Sequence, residues 1–249
     1  VDFDTDAGDG SALGVDENSI TIAGGFGKIV LGMDDDAADA YNIDERDLIA
    51  EDDAPSVTSA TIGTSSSISS DDAMKVAYHL PAMGGLTAGI SHTDRTRAGG
   101  TDTTSYGARY SMEAAGASIT LGYAVVNDEN ATQDVDQENM GMKIVSGDVS
   151  VIISQGGYEA SDEDRQHTGG AISYKMPNGM TVGAYTFKSE DDLDAGEEYS
   201  RSGAEIQYTI ASGLTAVINV DDYDYKKGSS DATNNDSGTS SKLTLKASF

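Results

Sequence analysis

The sequence predicts an all-β fold, an antiparallel up-and-down β-barrel whose strands cross a membrane. Apolar and polar residues alternate in segments of about eight to twelve residues, the length of a tilted strand that spans a bilayer. Short turns and long loops alternate between these segments. One face carries Leu, Ile, Val, Tyr and Met, which suit lipid, and the other carries Gly, Ser, Thr and Ala, which suit water. Lipid contact forbids unpaired strand edges, so we expect the sheet to close.

Composition narrows the classes of function. The 249 residues carry a formal net charge of -28, which excludes nucleic acid as a partner because phosphate binding needs clusters of Lys and Arg. The chain has no Cys and therefore no disulfide or thiolate chemistry. Its mean hydropathy of -0.37 is typical of a soluble protein. A membrane β-barrel has the same average, because polar residues alternate with apolar ones.

The first elements form a strand tail and a hairpin. Residues 1–5 alternate like the end of a strand. Residues 17–23 and 28–33 alternate around the glycine-rich turn 24–27, and this pattern predicts a β-hairpin.

After residue 72 the alternation becomes regular and predicts about eleven further strands. They cover 73–80, 86–91, 106–113, 118–125, 140–145, 149–153, 172–176, 180–184, 206–210, 214–220 and 242–249. Long polar loops are predicted at 93–103, 127–137, 157–167, 190–198 and 226–239.

The segment 34–72 is long, acidic and free of periodicity. A structureless insert of this length in a compact domain is uncommon unless it is functional or disordered. Because a regular frame of strands surrounds it, we expect it to fold inward and to narrow a pore. The alternative is a solvated surface loop.

The carboxylates of this segment are the candidate acidic side of a constriction, with Arg46 as the one base among them. They are Asp34, Asp35, Asp36, Asp39, Asp44, Glu45, Asp47, Glu51, Asp52 and Asp53. In a narrow site such a set creates a strong local potential. The alternative is that many of them point to solvent.

Basic residues outnumber acidic ones at the predicted lumen-facing strand positions. Lys28, Lys75, Arg109 and Lys143 are the candidate basic side of the pore wall, joined by Lys175, Lys242 and Lys246 against Glu113, Glu205 and Asp221. An acidic loop that faces a basic wall would create a transverse field, which orients dipolar solutes. For lysines beside short turns, the alternative is a solvated rim.

Metal and enzyme signals are weak. Crowded carboxylates suit Ca²⁺, and Asp34, Asp36, Asp52 and Asp53 are its candidate ligands, although no EF-hand spacing is present. The three histidines form no metal motif, and no G-x-S-x-G or phosphate loop appears. We therefore predict that the protein is not an enzyme and requires no cofactor.

Two stretches resemble a known family. The run GGFGKIVLGMDDDAAD at 24–39 resembles the strands that lead into the constriction loop of Gram-negative general porins, particularly the alphaproteobacterial type. The last strand, 242–249, ends in Phe249 and looks like the outer-membrane assembly signal of such barrels. The resemblance covers 1–249 as one domain. It implies sixteen strands, an inward-folded loop at about 34–72, a homotrimer and a location in the outer membrane.

The strand tally is shorter than this family implies. Only two full strands and a tail precede the long segment, although the family's constriction loop follows the fifth strand. We therefore expect an N-terminally truncated porin with about thirteen full strands in this chain.

The resemblance implies a water-filled channel for passive diffusion of small hydrophilic solutes and ions. Its expected surroundings are outer-membrane lipid and lipopolysaccharide. The alternative is a secreted or surface-layer acidic β-protein that binds Ca²⁺ for a structural or adhesive role.

Overall fold

The computed structural model describes residues 18–50, 68, 73–94, 101–129, 134–193, 196–228 and 235–247, together with the backbone of residues 2–3. In these parts of the chain, no helix is long and apolar enough to cross a membrane.

The described chain consists of β-strands and two short 3₁₀ helices. The strands are β1 Asp2–Phe3, β2 Asn18–Gly24, β3 Gly27–Asp34, β4 Ala73–His79, β5 Leu86–Thr93, β6 Asp102–Ala114, β7 Ala117–Glu129, β8 Asp134–Ser146, β9 Val149–Glu159, β10 Asp164–Lys175, β11 Met180–Asp191, β12 Glu197–Ala211, β13 Leu214–Lys227 and β14 Asp236–Ala247. The 3₁₀ helices, Asp39–Tyr41 and Glu45–Leu48, lie in the long connection between β3 and β4.

The strands lie in one sheet, in the order in which they occur in the chain. The strand pairs with an assigned register are antiparallel, as in β10 with β11 and β12 with β13. The predicted all-β up-and-down topology is therefore confirmed. Eleven strands follow the long segment, and β1 is the predicted strand tail.

Two unlike faces follow from the period of two. In β4, Met74 and Val76 are exposed, whereas Ala73, Lys75 and Ala77 are buried. We call the first side the apolar face and the second side the polar face. Exposed apolar side chains on the apolar face include Ile20, Ile22, Leu31, Met74, Val76, Ile90, Leu121, Ile153, Ile172, Ile206, Ile218, Leu243 and Leu245.

The strands are longer than the hydropathy pattern predicts, and the five predicted loops are too long. The connection from β7 to β8 spans only 130–133, that from β9 to β10 only 160–163, and that from β11 to β12 only 192–196. The acidic residues around them extend the strands, because backbone hydrogen bonds do not depend on side-chain polarity. The alternation marks only the part of each strand that has an apolar outer side.

The chain divides into two compact units. The first contains Val1–Asn42, Ser67–Ser111 and Gly122–Asn139, and its buried cluster consists of Ala38, Ile68, Ala124 and Val126. The second contains Ile43–Ser66, Met112–Leu121 and Met140–Phe249. Its buried clusters are Phe187, Tyr199 and Tyr225, and Ile49, Ala171 and Tyr185.

Candidate functional site

Residues 35–50 follow β3 and pack on the polar face of the strands. In the first unit, two serine side chains accept hydrogen bonds from the backbone of this segment. Ala37 N–H donates to Ser91 Oγ at 2.9 Å, and Ala38 N–H donates to Ser105 Oγ at 3.2 Å. The two hydroxyl oxygens lie 2.7 Å apart, and both serines are buried. The backbone of this part of the segment therefore replaces water as their hydrogen-bond partner.

The Tyr41 side chain packs against β5 and β6 at positions where both strands carry glycine. A Cβ at Gly89 or Gly107 would lie within 3 Å of Tyr41 atoms, so a larger residue at either position would displace the ring. The Tyr41 hydroxyl lies 2.8 Å from His79 Nδ1. Burial raises the pKa of Tyr41 above its ordinary value of about 10, and the Arg109 charge opposes this shift.

Asn42 is held by two side chains of the first unit. Arg109 Nη2 donates to the Asn42 carbonyl oxygen. Asn139 Nδ2 donates to Asn42 Oδ1 at 2.6 Å, between two buried side chains. Arg109, a predicted wall cation, therefore binds the backbone of the segment.

In the second unit, the segment continues with a capped 3₁₀ helix. Asp44 Oδ1 accepts from Arg46 N–H at 2.9 Å, and Asp44 Oδ2 pairs with Arg46 Nη2 at 3.1 Å. Glu45 is buried beside Ser154, whose Oγ donates to Glu45 Oε2 at 3.4 Å. A Cβ at Gly169 would collide with the same carboxylate. Glu45 is thus enclosed by protein.

Close packing holds Ile43 and Ile49, which lie near the two ends of the stretch 43–50. A Cβ at Gly141 would collide with the Ile43 carbonyl oxygen, so Gly141 permits the close approach of the segment to β8. Ile49 packs with Ala171 and Tyr185 on the polar face of β10 and β11.

Two wall charges hold Ala50, the last residue of the continuous described stretch 18–50. Its N–H donates to Glu205 Oε1 at 2.8 Å, and its carbonyl oxygen accepts from Lys246 Nζ. Gln207 Nε2 donates to the same Glu205 oxygen at 2.8 Å. Glu205 and Lys246 both occupy predicted lumen-facing positions, and both bind the backbone here.

The predicted acidic set divides into two groups. Asp36, Asp44 and Glu45 are buried, at 2–3 % exposure. Asp35, Asp39 and Asp47 are exposed and Asp34 is half-buried. Glu51, Asp52 and Asp53 lie outside the described residues. Among the described carboxylates of the set, Asp35, Asp39 and Asp47 are in direct contact with solution and Asp34 is partly so.

The four predicted wall cations differ in environment. Lys28 is exposed, Arg109 and Lys143 are half-buried, and Lys75 is 4 % exposed. Within the described part of the chain, neither Lys75 Nζ nor Arg109 Nε has a hydrogen-bond partner.

The partner of Asp221 was not predicted from the sequence. Arg201 Nε lies 3.0 Å from Asp221 Oδ1. Arg201 Nη2 donates to Tyr185 Oη at 3.1 Å, and Tyr185 Oη in turn donates to Asp221. Asn219 Nδ2 also donates to Tyr185 Oη at 3.1 Å, and all four residues are buried. The period of two could have placed Arg201 on the polar face of β12, but not its contacts.

No group of three or more His, Asp or Glu side chains with metal-binding geometry occurs among the residues described. Of the predicted Ca²⁺ ligands, Asp34 is half-buried and Asp36 is buried, with Asp36 Oδ1 accepting from Asp39 N–H at 3.1 Å. Asp52 and Asp53 are outside the described ranges, so the Ca²⁺ site stays a prediction.

One comparison with known proteins shows a family. The model of a family described as Gram-negative porin matches residues 1–248. No curated protein matches the chain.

Three solved structures share the fold. An anion-selective porin from Comamonas acidovorans is 13% identical, with a TM-score of 0.65, over 95% of this chain and 77% of that one. A porin refined at 1.8 Å is 18% identical, with a TM-score of 0.60, over 93% and 80% of the two chains. OmpT of Vibrio cholerae, described as a trimer form, is 12% identical, with a TM-score of 0.61, over 94% and 79%.

Proposed function

Since the chain belongs to the Gram-negative porin family, we propose that it forms a water-filled channel for passive diffusion of small hydrophilic solutes and ions. Porins of this family are proteins of the outer membrane, and this chain is one of them. The outer-membrane lipid and lipopolysaccharide are then its surroundings, with the apolar face toward the acyl chains.

One observation carries the proposal: residues 35–50 pack on the polar face of the strands. Serine hydroxyls and wall charges hydrogen-bond to their backbone, as Ser91 and Glu205 do, and Gly141 leaves space for the Ile43 carbonyl. A segment on the lumen side of a barrel wall narrows the pore. We propose that 34–72 is this constriction loop.

The exposed carboxylates of the segment would set the sign of its field. Asp35, Asp39 and Asp47 are exposed, and Arg46 is held by Asp44. Lys28 and Lys143 are the candidate counter-charges on the wall. Carboxylates at a constriction raise the local cation concentration and lower that of anions.

We propose a homotrimer and no required cofactor. The trimer rests on the family and on the trimer form of OmpT. Cross-linking of the detergent-solubilised protein should give a species of three chains, and a species of one chain alone would contradict this. Conductance should survive removal of divalent cations with a chelator, because side chains of the strands hold the backbone of residues 35–50, as Ser91, Arg109 and Glu205 do.

Swelling of proteoliposomes tests diffusion directly. Vesicles that contain the protein should swell in isosmotic solutions of small sugars at rates that fall with solute size. Vesicles without protein are the control. Equal swelling of both, from a protein that stays in solution without detergent, would instead favour the secreted or surface-layer alternative.

Charge neutralisation tests the acidic constriction. The triple variant Asp35→Asn, Asp39→Asn and Asp47→Asn should shift the reversal potential under a salt gradient toward lower cation preference. The matched control, Asp136→Asn, Asp222→Asn and Asp224→Asn, removes three exposed carboxylates from the apolar-face side of β8 and β13. An unchanged reversal potential in the triple variant would contradict the acidic constriction, while conductance itself would still support the channel.

A further inference from the structure

The polar face carries amines where strands of the second unit meet tight turns. Lys175 is the last residue of β10, and Lys143 lies near the end of β8. Lys143 shares its face with Gly141, which the Ile43 backbone approaches, and Lys175 shares its face with the buried Ser173.

Two further amines lie on the same face of β14. Lys246 is in register with Thr215, next to the tight turn between β12 and β13, and its amine donates to Ala50. Lys242 is in register with Asn219, which is buried on the polar face.

In the second unit, the strand ends at the long connections are acidic. Asp191 and Glu197 oppose each other in register at the ends of β11 and β12, and both are buried. With Glu190, Asp192, Gly196 and Glu198 they line a cleft of about 320 Å³. Lys227 pairs with Glu197 at 3.3 Å and Lys188 with Glu190 at 2.6 Å, so carboxylates outnumber amines around this cleft.

The first unit, taken by itself, has the same polarity along β3. Lys28 lies next to the tight turn that joins β2 to β3. Asp34 ends the strand, and the exposed Asp35 and Asp39 follow it. On the polar face of both units, Lys28, Lys143, Lys175 and Lys246 therefore lie toward the tight turns, whereas Lys75 and Lys227 lie toward the opposite ends, at the long connections, where carboxylates outnumber amines.

We propose that the channel is an ionic rectifier, in which the mouth at the long connections is cation-selective and the mouth at the tight turns is not. This inference rests on the proposed function. When the acidic mouth faces the positive electrode, cations enter through it and anions enter through the other mouth, so both accumulate in the pore. The opposite polarity depletes both ions, and the current falls.

The effect depends on salt. The Debye length is about 10 Å at 0.1 M and about 3 Å at 1 M ionic strength. Fixed charges at the mouths control the ion content of the pore only when the Debye length approaches the pore radius. The rectification should therefore be clear in 0.1 M KCl and nearly absent in 1 M KCl.

The orientation of each channel must be known to test this. The chain has no Cys, and Ser161 is exposed between β9 and β10. A Ser161→Cys variant can be labelled from one side with an impermeant charged thiol reagent, which identifies the acidic mouth. In 0.1 M KCl the current with that mouth positive should exceed the reverse current by about twofold, because screening is weak there.

A pair of variants isolates the cause. Lys143→Glu with Lys175→Glu replaces two of the tight-turn amines by carboxylates and should bring the ratio of the two currents toward one. Lys188→Glu with Lys226→Glu makes the same change in net charge at exposed residues on the opposite face of β11 and β13, and should leave the current ratio above one.

The outcomes separate the two claims. Equal currents at the two polarities in a conducting wild-type channel in 0.1 M KCl would overturn the rectifier alone. The same holds if Lys143→Glu with Lys175→Glu leaves the ratio of the two currents unchanged. A folded protein that inserts and never conducts would overturn the proposed function and the rectifier with it. Heat-sensitive gel mobility, compared with the wild-type protein, verifies that each variant is folded.

Discussion

At the scale of single residues, two adjacent glycines of β10 have opposite surroundings. A Cβ at Gly169 would collide with the Glu45 carboxylate, whereas a Cβ at Gly170 would have its nearest neighbour, Ile152 O, at 3.5 Å. Gly169→Ala should therefore displace the segment and lower the free energy of unfolding by about 1–3 kcal/mol, the usual cost of overpacking. Single-channel conductance and urea unfolding would measure both effects.

Gly170→Ala is the matched control, since it adds the same methyl group to the same strand. It should leave conductance unchanged. If both variants behaved alike, the close packing of Glu45 on β10 would be wrong.

The buried pair of Arg201 and Asp221 predicts a large asymmetry between single and double variants. Asp221→Ala should lower the free energy of unfolding by about 3–5 kcal/mol, because it removes the carboxylate that lies 3.0 Å from the buried Arg201 guanidinium. Arg201→Met with Asp221→Leu should cost much less, because neither charge remains buried. Unfolding in denaturant would compare them, and a double variant as unstable as Asp221→Ala would contradict this view.

Tyr41 predicts a pH dependence at high pH. Its pKa is raised in the folded state, so its contribution to stability is fully present below about pH 10 and is lost as pH rises through the folded-state pKa. Wild-type protein should therefore lose stability more steeply above pH 10 than Tyr41→Phe. The unfolding midpoints of the two proteins would be measured between pH 8 and pH 11. If Tyr41 were solvated, the two midpoints would change with pH in parallel.

At the scale of elements, the two faces of one strand predict opposite responses to the same charge. Ile206 and Gln207 are neighbours in β12, on the apolar and polar faces. Ile206→Lys should cost about 2–4 kcal/mol, as expected for an amine within the bilayer. Gln207→Lys should be tolerated because its amine meets water and Glu205. Equal stability of the two variants in lipid bilayers would contradict the assignment of the faces.

The sequence was sufficient to predict the strands but not their ends. Alternation located β4–β14 because lipid imposes a period of two on one face. Beyond the lipid the outer face of β7, β8, β10 and β12 becomes polar, and the pattern ends although the backbone pairing continues. The acidic ends of these strands therefore looked like loops.

The candidate site was predicted in outline only. Composition identified 34–72 as exceptional, and the period of two placed Arg109, Glu205 and Lys246 on the polar face. Which of these charges binds which backbone group depends on contacts between residues far apart in the chain, such as Ala50 with Lys246. Local pattern holds no information about such pairs, and for the same reason it did not separate buried Glu45 from exposed Asp47.

At the scale of the whole molecule, the net charge of -28 is distributed over different environments. Part of it lies on exposed strand ends and connections, part on the segment 35–50, and part in buried pairs such as Arg201 with Asp221. In the proposed channel, carboxylates that face the pore water act more strongly on passing ions than carboxylates neutralised in buried pairs. The net charge alone therefore does not predict the size of the cation preference.

The most direct test of the channel is single-channel conductance of the detergent-refolded protein in a planar bilayer, with the reversal potential measured under a salt gradient. The account predicts stepwise, long-lived openings, grouped in threes for a trimer, and a reversal potential with the sign of cation preference. A membrane-inserted, folded protein that gives no current steps would contradict the account.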